Sequence, residues 1–409
     1  MLGRWLPPPR RPVRETREYR FAHYLARSHR LTLAFIADNP DAAGSISTLR
    51  SEFGDLEFAS IPRGWKSLAS AVRLVGGESC TLSYFRSEAL STRIADRLRR
   101  ATYDLLFVSS SSMIQYALAA DPSIPLVVDF GRIDSEWWVS QARSMAFPAA
   151  RFFRSEAARL RSAEAAAARR AVRCATETAE AAEIVQSLGT GSVVTVIPNG
   201  LDVGGLNALP LVGDGPTVVF NASLGGALQL RDAFEFYGTI MPAVRGAFPR
   251  ARFIVASREP IPGVERTDER VGIEVVTSAT KVRRLFHGQA VAVAPVRAGF
   301  DLRSSVLEPM AAGIPVITTS AVCDRLGARP DRDALVADTA FDASTHLIAL
   351  LGSTARREEL GRRGQAFVQA TFGWETRATS LERLLVGGVT KGQEASPLVT
   401  PTIPAALGG

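Results

Sequence analysis

Between Val291 and Thr318 the chain reads Val291-Ala-Val-Ala-Pro-Val-Arg297 and then Ser304-Ser-Val-Leu-Glu308-Pro-Met-Ala-Ala-Gly313-Ile-Pro315-Val-Ile-Thr318. An apolar run of strand length, a helical segment opened by two hydroxyl residues, a glycine and a second apolar run leave little choice of fold. Strands apolar on both faces must be covered on both faces, which places them in a parallel sheet wrapped by helices. The same order sets backbone N–H groups at a helix start, where a phosphate binds well. Glu308, one turn further in, brings a carboxylate within reach of a ribose. The residues alone point to a nucleotide site in an α/β domain. An N-capped helix carrying an ordinary glutamate has the same spacing.

Short apolar runs alternate with helical patterns through both halves of the chain, as parallel α/β sheets require. Strands are expected at Leu31–Ile36, Leu56–Ile61, Leu105–Ser109, Leu126–Phe130 and Val193–Pro198, and again at Thr217–Asn221, Arg252–Ala256, Ile273–Val276, Ala290–Ala294 and Pro315–Thr319. Helices fall between them, among them Thr16–Ser28, Ser87–Arg100, Ser112–Ala120, Leu230–Phe248, Lys281–His287, Ser304–Ala312 and Ala343–Leu351. Arg151–Arg173, rich in Ala, Arg and Glu, reads as a long exposed helix without a coiled-coil heptad. Glu358–Thr371 and Trp374–Leu385 read as closing helices. The expected organisation is a first domain over residues 1–201, a linker over 202–216, a second domain over 217–371, a closing helix over 372–386 and a disordered tail over 387–409. The fold class is α/β, with two doubly wound, Rossmann-like domains facing a cleft and ligands at the carboxyl ends of the strands.

Composition excludes several classes. With 46% hydrophobic and 22% charged residues, the chain has the make-up of a soluble globular protein. Its 48 basic and 41 acidic residues give +7, compatible with anionic ligands, an acidic membrane face or a plain solvated surface. No interleaving of aromatic and basic residues supports nucleic acid as a partner. Cys80, Cys174 and Cys323 are far apart and odd in number, so a disulfide framework is not expected. His23, His29, His287 and His346 are scattered, and no metal site is expected. No apolar run reaches bilayer length and no apolar signal core opens the chain, which makes the cytoplasm the default location.

The blocks Val196-Ile-Pro-Asn-Gly-Leu-Asp202, Leu307-Glu-Pro-Met-Ala-Ala-Gly-Ile-Pro-Val-Ile-Thr318 and Phe372-Gly-Trp-Glu375 resemble those of the group-1 (family 4) retaining glycosyltransferases of the GT-B fold. Val127-Val-Asp-Phe-Gly-Arg-Ile-Asp-Ser-Glu-Trp137, His29-Arg-Leu-Thr-Leu-Ala-Phe-Ile-Ala-Asp38 and Ala294-Pro-Val-Arg297 are similar to the sugar transferases of bacterial exosortase and exopolysaccharide systems. The resemblance extends over roughly residues 5–386. It implies a donor nucleoside diphosphate sugar in the second half, a saccharide or lipid-linked saccharide acceptor, peripheral contact with the inner membrane leaflet, and no cofactor or metal. The carboxylate of Glu308 would hold the ribose hydroxyls. Ser304, Ser305 and Val306 would offer backbone N–H groups to the diphosphate, with Arg297 and Arg303 neutralising its charge. The glycine-bearing loop that opens the donor half corresponds to Ala222-Ser-Leu-Gly225-Gly226, and Arg231 is its nearest basic residue.

The chain departs from that pattern in places. Phe300 stands where the family carries a second glutamate, and Ser304-Ser305 where the close subgroup has Asn-Lys. Pro7-Pro-Pro-Arg-Arg-Pro-Val-Arg14 occupies the place of a Gly-containing acceptor loop; a late start or a diverged acceptor half each accounts for it. Two rival functions follow: a non-catalytic homologue that binds nucleotide sugar or a partner enzyme, and a nucleotide-sugar 2-epimerase. The acid/base set expected of the epimerase is absent.

Other residues admit two readings each. Asp129, Asp134 and Glu136, with Trp137 and Trp138, follow a strand end, so they either position or deprotonate an acceptor hydroxyl or form a helix start with Asp134 or Ser135 as cap. Asp134 is the catalytic candidate among them. Asn199 and Gly200 are expected to form the turn between domains, and Glu177 and Glu180 to act at a helix cap, although the resemblance implies a segment there that lines the cleft. His29 reads as packing or surface, and His23 as a weak acceptor-site candidate. Arg10, Arg11, Arg14, Arg17 and Arg20 either form a solvated helix face or meet anionic headgroups, with Tyr19, Phe21 and Tyr24 packed inward or on lipid.

Overall fold

Every described strand pair runs parallel. The computed structural model describes residues 1–4, 16–37, 43–60, 78–203, 215–221, 227–257, 273–277, 290–295 and 302–389. These divide into two units, one comprising Met1–Asn199 and the last helix from Arg377 on, the other running from Gly200 to Thr376. The first contains β1 (Leu2–Gly3), β2 (Leu33–Ala37), β3 (Leu56–Ser60), β4 (Leu106–Ser109), β5 (Leu126–Asp129), β6 (Arg173–Thr176) and β7 (Val194–Val196) in the order β3-β2-β1-β4-β5-β6-β7. The second contains β8 (Thr217–Asn221), β9 (Arg252–Ser257), β10 (Ile273–Thr277), β11 (Ala290–Ala294), β12 (Val316–Thr318) and β13 (Leu335–Val336) in the order β10-β9-β8-β11-β12-β13. Each order reverses once, between β1 and β4 and between β8 and β11. That is the doubly wound Rossmann arrangement, whose ligands bind at the carboxyl ends beside the reversal. The GT-B class carries two such domains in one chain, and this chain has both.

Residue alternation builds the second unit. Val218 and Phe220 of β8 and Val291 and Val293 of β11 enter one core, while Val219, Ala290, Ala292 and Ala294 enter the other. Side chains leave a strand on alternate faces, so a run apolar at every position needs helices on both sides. The first unit is similar, with Val108, Val128 and Cys174 beneath Ala167 and Ala168.

Several elements differ from the sequence expectation. The long helix spans Ala149–Arg170 and is not simply exposed: Glu156, Ala157, Leu160, Glu164, Ala167 and Ala168 are buried. Glu156, Leu160, Glu164 and Ala168 recur every fourth residue, so they share one face, and the two glutamates on that face bond to neighbouring helix starts. Residues 173–176, placed at the end of that helix and just beyond it, form β6. The expected helix Ser112–Ala120 is a 3-10 turn, Ser111–Met113, followed by Ile114–Leu118. Other helix starts follow the caps: Thr16 accepts from the Tyr19 N–H and Ser87 from the Leu90 N–H. The closing helices run Thr354–Phe372 and Trp374–Val389, so the first residues of the expected tail are helical, and 390–409 lie outside the described residues. The same is true of Lys281–His287 and of 204–214, most of the expected linker.

Candidate functional site

In the second unit, chemistry concentrates between β11 and β12. The chain is already helical at Leu302 (φ −64°, ψ −25°), so Ser304 and Ser305 lie inside the turn and not at its cap. This corrects the expected helix start. Arg303–Leu307 is a π turn, in which the Glu308 N–H donates to the Arg303 carbonyl. Pro309 supplies a reason: it has no N–H for the Ser305 carbonyl, and its ring crowds that position in a regular helix. Such widened turns occur frequently at functional sites. Glu308 and Arg303 are half-buried, whereas Ser305 and Val306 are buried. The Ser305 hydroxyl thus sits inside the fold and not on an open face. One Arg303 guanidinium nitrogen donates to the Gly200 carbonyl at 3.0 Å.

The helix after the turn, Glu308–Ala311, closes sharply. Gly313 has φ +75°, its N–H donates to the Met310 carbonyl at 2.9 Å, and the Ile314 N–H donates to the Pro309 carbonyl at 3.0 Å. These are the two bonds of a Schellman cap, which favours glycine at the left-handed position. Gly361, from helix Thr354–Phe372, approaches so closely that a Cβ there would stand 2.0 Å from the Gly313 carbonyl oxygen. The turn carrying Glu308 is held from both ends. Arg297, Phe300, Gly225 and Gly226 lie outside the described residues, and Arg231 is in helix Ala227–Ala247.

The first unit has a cavity of about 990 Å³ at the carboxyl ends of its strands. Arg4 reaches it from just after β1, Arg132, Ile133 and Asp134 from after β5, and Thr178 and Glu180 from after β6; Trp137 and Trp138 form an aromatic wall. Asp134 is the first residue of helix Asp134–Ser144, and neither it nor Ser135 provides the cap. Glu164 takes that role from the long helix, its Oε1 accepting the Ser135 N–H at 3.2 Å. Asp134 Oδ2 is buried with no hydrogen-bond partner among the described residues and lies 3.9 Å from the Arg4 guanidinium. Burial raises the Asp134 pKa, against the opposing pull of Arg4 and Arg132. Glu164 is raised as well, chiefly by burial, with the neighbouring Asp134 charge adding to it.

Asp129 does not face a ligand. It is fully buried, and its carboxylate takes Arg17 Nε at 2.9 Å and the Gly131 N–H at 3.0 Å. Arg17 also donates to Asn199 Oδ1 at 3.0 Å and the Ile197 carbonyl at 2.8 Å, and lies over the Phe21 ring. Asn199 donates to Glu177. The expected basic face therefore turns inward at Arg17, and Tyr19 and Phe21 are buried with it; Arg10, Arg11 and Arg14 lie outside the described residues. Thr178, and not either glutamate, caps helix Ala179–Ser187. Glu136 pairs with Arg161 at 2.6 Å, His29 pairs with Glu382 at 2.7 Å, and His23 stacks on Tyr19. Trp138 Nε1 donates to Thr81 Oγ1 at 3.0 Å. Sequence reasoning missed Arg4, Glu156 and Glu164, because an isolated arginine and two glutamates in a charged helix carry no local signal.

Among the described residues no group of three or more His, Cys, Asp or Glu could hold a metal ion, and no helix is long and apolar enough to cross a membrane. Residues 243–383 match the family described as glycosyl transferase-like. This stretch includes Arg303, the π turn, Glu308 and Gly313. No curated protein matches the chain significantly. Among solved structures, HepE of Anabaena in complex with UDP is similar over 94% of this chain and 99% of its own, at 11% identity and a TM-score of 0.49. A glycosyltransferase from Rickettsia africae is similar over 96% of this chain and 99% of its own, at 8% identity and a TM-score of 0.47. Sucrose-phosphate synthase from Thermosynechococcus elongatus is similar over 90% and 92%, at 14% identity and a TM-score of 0.42.

Proposed function

We propose that this protein is a retaining glycosyltransferase that moves a sugar from a nucleoside diphosphate sugar to an acceptor hydroxyl, in the cytoplasm, during bacterial exopolysaccharide assembly. The observation that carries the reading is the half-buried Glu308 at the end of the π turn, beside the sheet reversal and within the glycosyl transferase-like stretch. Its carboxylate accepts from the ribose hydroxyls, and the backbone of Ser304, Ser305 and Val306 meets the diphosphate. Arg297 and Arg303, with the Gly225–Gly226 loop and Arg231, neutralise its charge. The barrier lies in separating the diphosphate from an oxocarbenium-like sugar, so pre-placed positive charge and N–H dipoles lower it without a metal. The leaving diphosphate takes the acceptor proton. The acceptor, a saccharide or lipid-linked saccharide, is held in the first-unit cavity, where Asp134 orients its hydroxyl.

Calorimetric titration of UDP, GDP, ADP and their sugar conjugates into wild type and Glu308→Ala tests the donor site. One nucleotide should bind, and the variant should lose roughly 10-fold or more, the worth of a charge-assisted hydrogen bond. Failure of all of them to bind, with no transfer of labelled sugar to membrane extract, would leave the non-catalytic homologue as the better description.

A further inference from the structure

The bend between helices Asp134–Ser144 and Ala149–Arg170 gathers large apolar side chains in solvent. Phe147 is 79% exposed and Met145 43% exposed, and Trp137 on the same hairpin is 50% exposed. Behind them Trp138, Phe152 and Phe153 pack on one another, with ring centroids 5.1 Å apart for Trp138–Phe153 and 5.7 Å for Phe152–Phe153. The tip is therefore backed by a packed aromatic cluster. From Trp137 to Ser155 there is no acidic residue, while Arg143, Arg151 and Arg154 are exposed and have no ion-pair partner among the described residues.

We propose that this tip docks the protein on an anionic lipid surface, with Met145 and Phe147 entering the headgroup boundary and the three arginines meeting phosphate groups. An apolar wedge ringed by basic residues suits such an interface, since acyl chains take the first and acidic headgroups the second. Charge decides against a second copy of the chain as occupant: two such tips facing each other would set arginine against arginine. Trp137 also lines the cavity, and along its helix it stands roughly 10 Å from the bend. Docking thus brings the cavity wall close to the headgroups and selects an acceptor carried on a lipid; this last consequence rests on the transferase reading, the docking does not.

Flotation of the full chain with vesicles of phosphatidylcholine, alone or mixed with phosphatidylglycerol, tests the proposal. Wild type should bind the mixed vesicles and be released by high salt. The double variant Met145→Asp, Phe147→Asp should bind roughly 30-fold more weakly or worse. Arg151→Ala with Arg154→Ala should lose roughly fivefold per arginine. Unchanged far-UV circular dichroism and thermal unfolding show that the variants are folded. Equal flotation of wild type and variants, absence of binding to the mixed vesicles, or a concentration-dependent dimer abolished by the aspartates without any lipid binding would each overturn it. A failed donor titration alongside normal flotation would sink the transferase reading and leave docking standing.

Discussion

The two units share a strand order and differ in how their buried charges find partners. In the second, the fully buried charged side chains among the described residues, Asp333 and Arg357, pair locally, while the half-buried Arg303 reaches as far as Gly200: Asp333 takes the Arg329 N–H and Nε four residues away, both at 2.9 Å, and Arg357 donates to the carbonyls of Leu350 and Leu351, seven and six residues back. In the first, the pairs are remote. Arg17 meets Asp129 over a separation of 112 residues and Asn199 over 182. Glu156 accepts from Ser79 Oγ and the Cys80 and Thr81 N–H groups, 77, 76 and 75 residues away. The same sheet can thus be completed by a polar framework that ties distant loops together or by apolar faces and close glycine contacts. The first solution leaves a cavity bordered by Asp134, an acid whose pKa burial raises; the second presents one carboxylate on a tightly held turn.

That contrast can be broken experimentally. The largest effect is expected from Asp129→Ala, which takes the counter-charge from the Arg17 guanidinium and leaves it only the Asn199 and Ile197 oxygens. Removing one partner of a buried ion pair costs about 3–5 kcal/mol, readable as a fall in the urea midpoint; a loss as small as that of an exposed pair would show that water replaces the carboxylate and that the polar framework is dispensable. Next comes Gly361→Ala in the second unit, where the new methyl meets the Gly313 carbonyl. Overpacking of this kind costs roughly 1–3 kcal/mol, and it should weaken nucleotide binding as the Glu308 turn shifts. An unaltered titration would mean the turn is not held from this side.

The smallest effect sharpens the comparison by pH. Burial raises the Glu18 pKa from its ordinary 4.5 to about 7; its own backbone N–H, Arg17 and Arg4 oppose the shift and Asp129 adds to it. The folded state therefore keeps a proton that the unfolded chain has lost, so stability falls as pH rises from 4.5 toward 7. Glu18→Gln should stabilise the protein above that window by about 1–2 kcal/mol, because the side chain is partly exposed, and should have no effect below it. Equal gains at both ends would point to packing and not to charge.

What could be read from the amino acids was whatever is decided within a few residues. The apolar runs of β8, β11 and β12, the caps at Thr16 and Ser87 and the left-handed Gly313 each follow from local sterics and hydrogen bonding, which neighbours in the chain settle among themselves. The Glu308 block belonged to that class, and its position between two buried strands was legible. The π turn was not singled out, although Pro309, which cannot bond the Ser305 carbonyl, is consistent with it. The remainder depended on partners far along the chain. β1 has two residues and is a strand because β2 and β4 flank it. Glu156 and Glu164 face inward because helix starts arrive there from elsewhere. Asp129 is silent as a ligand group because Arg17 occupies it. A charged side chain carries the same letter whether it faces water or a buried partner; only the tertiary structure decides, by bringing the compensating group within hydrogen-bond distance or leaving it in solvent.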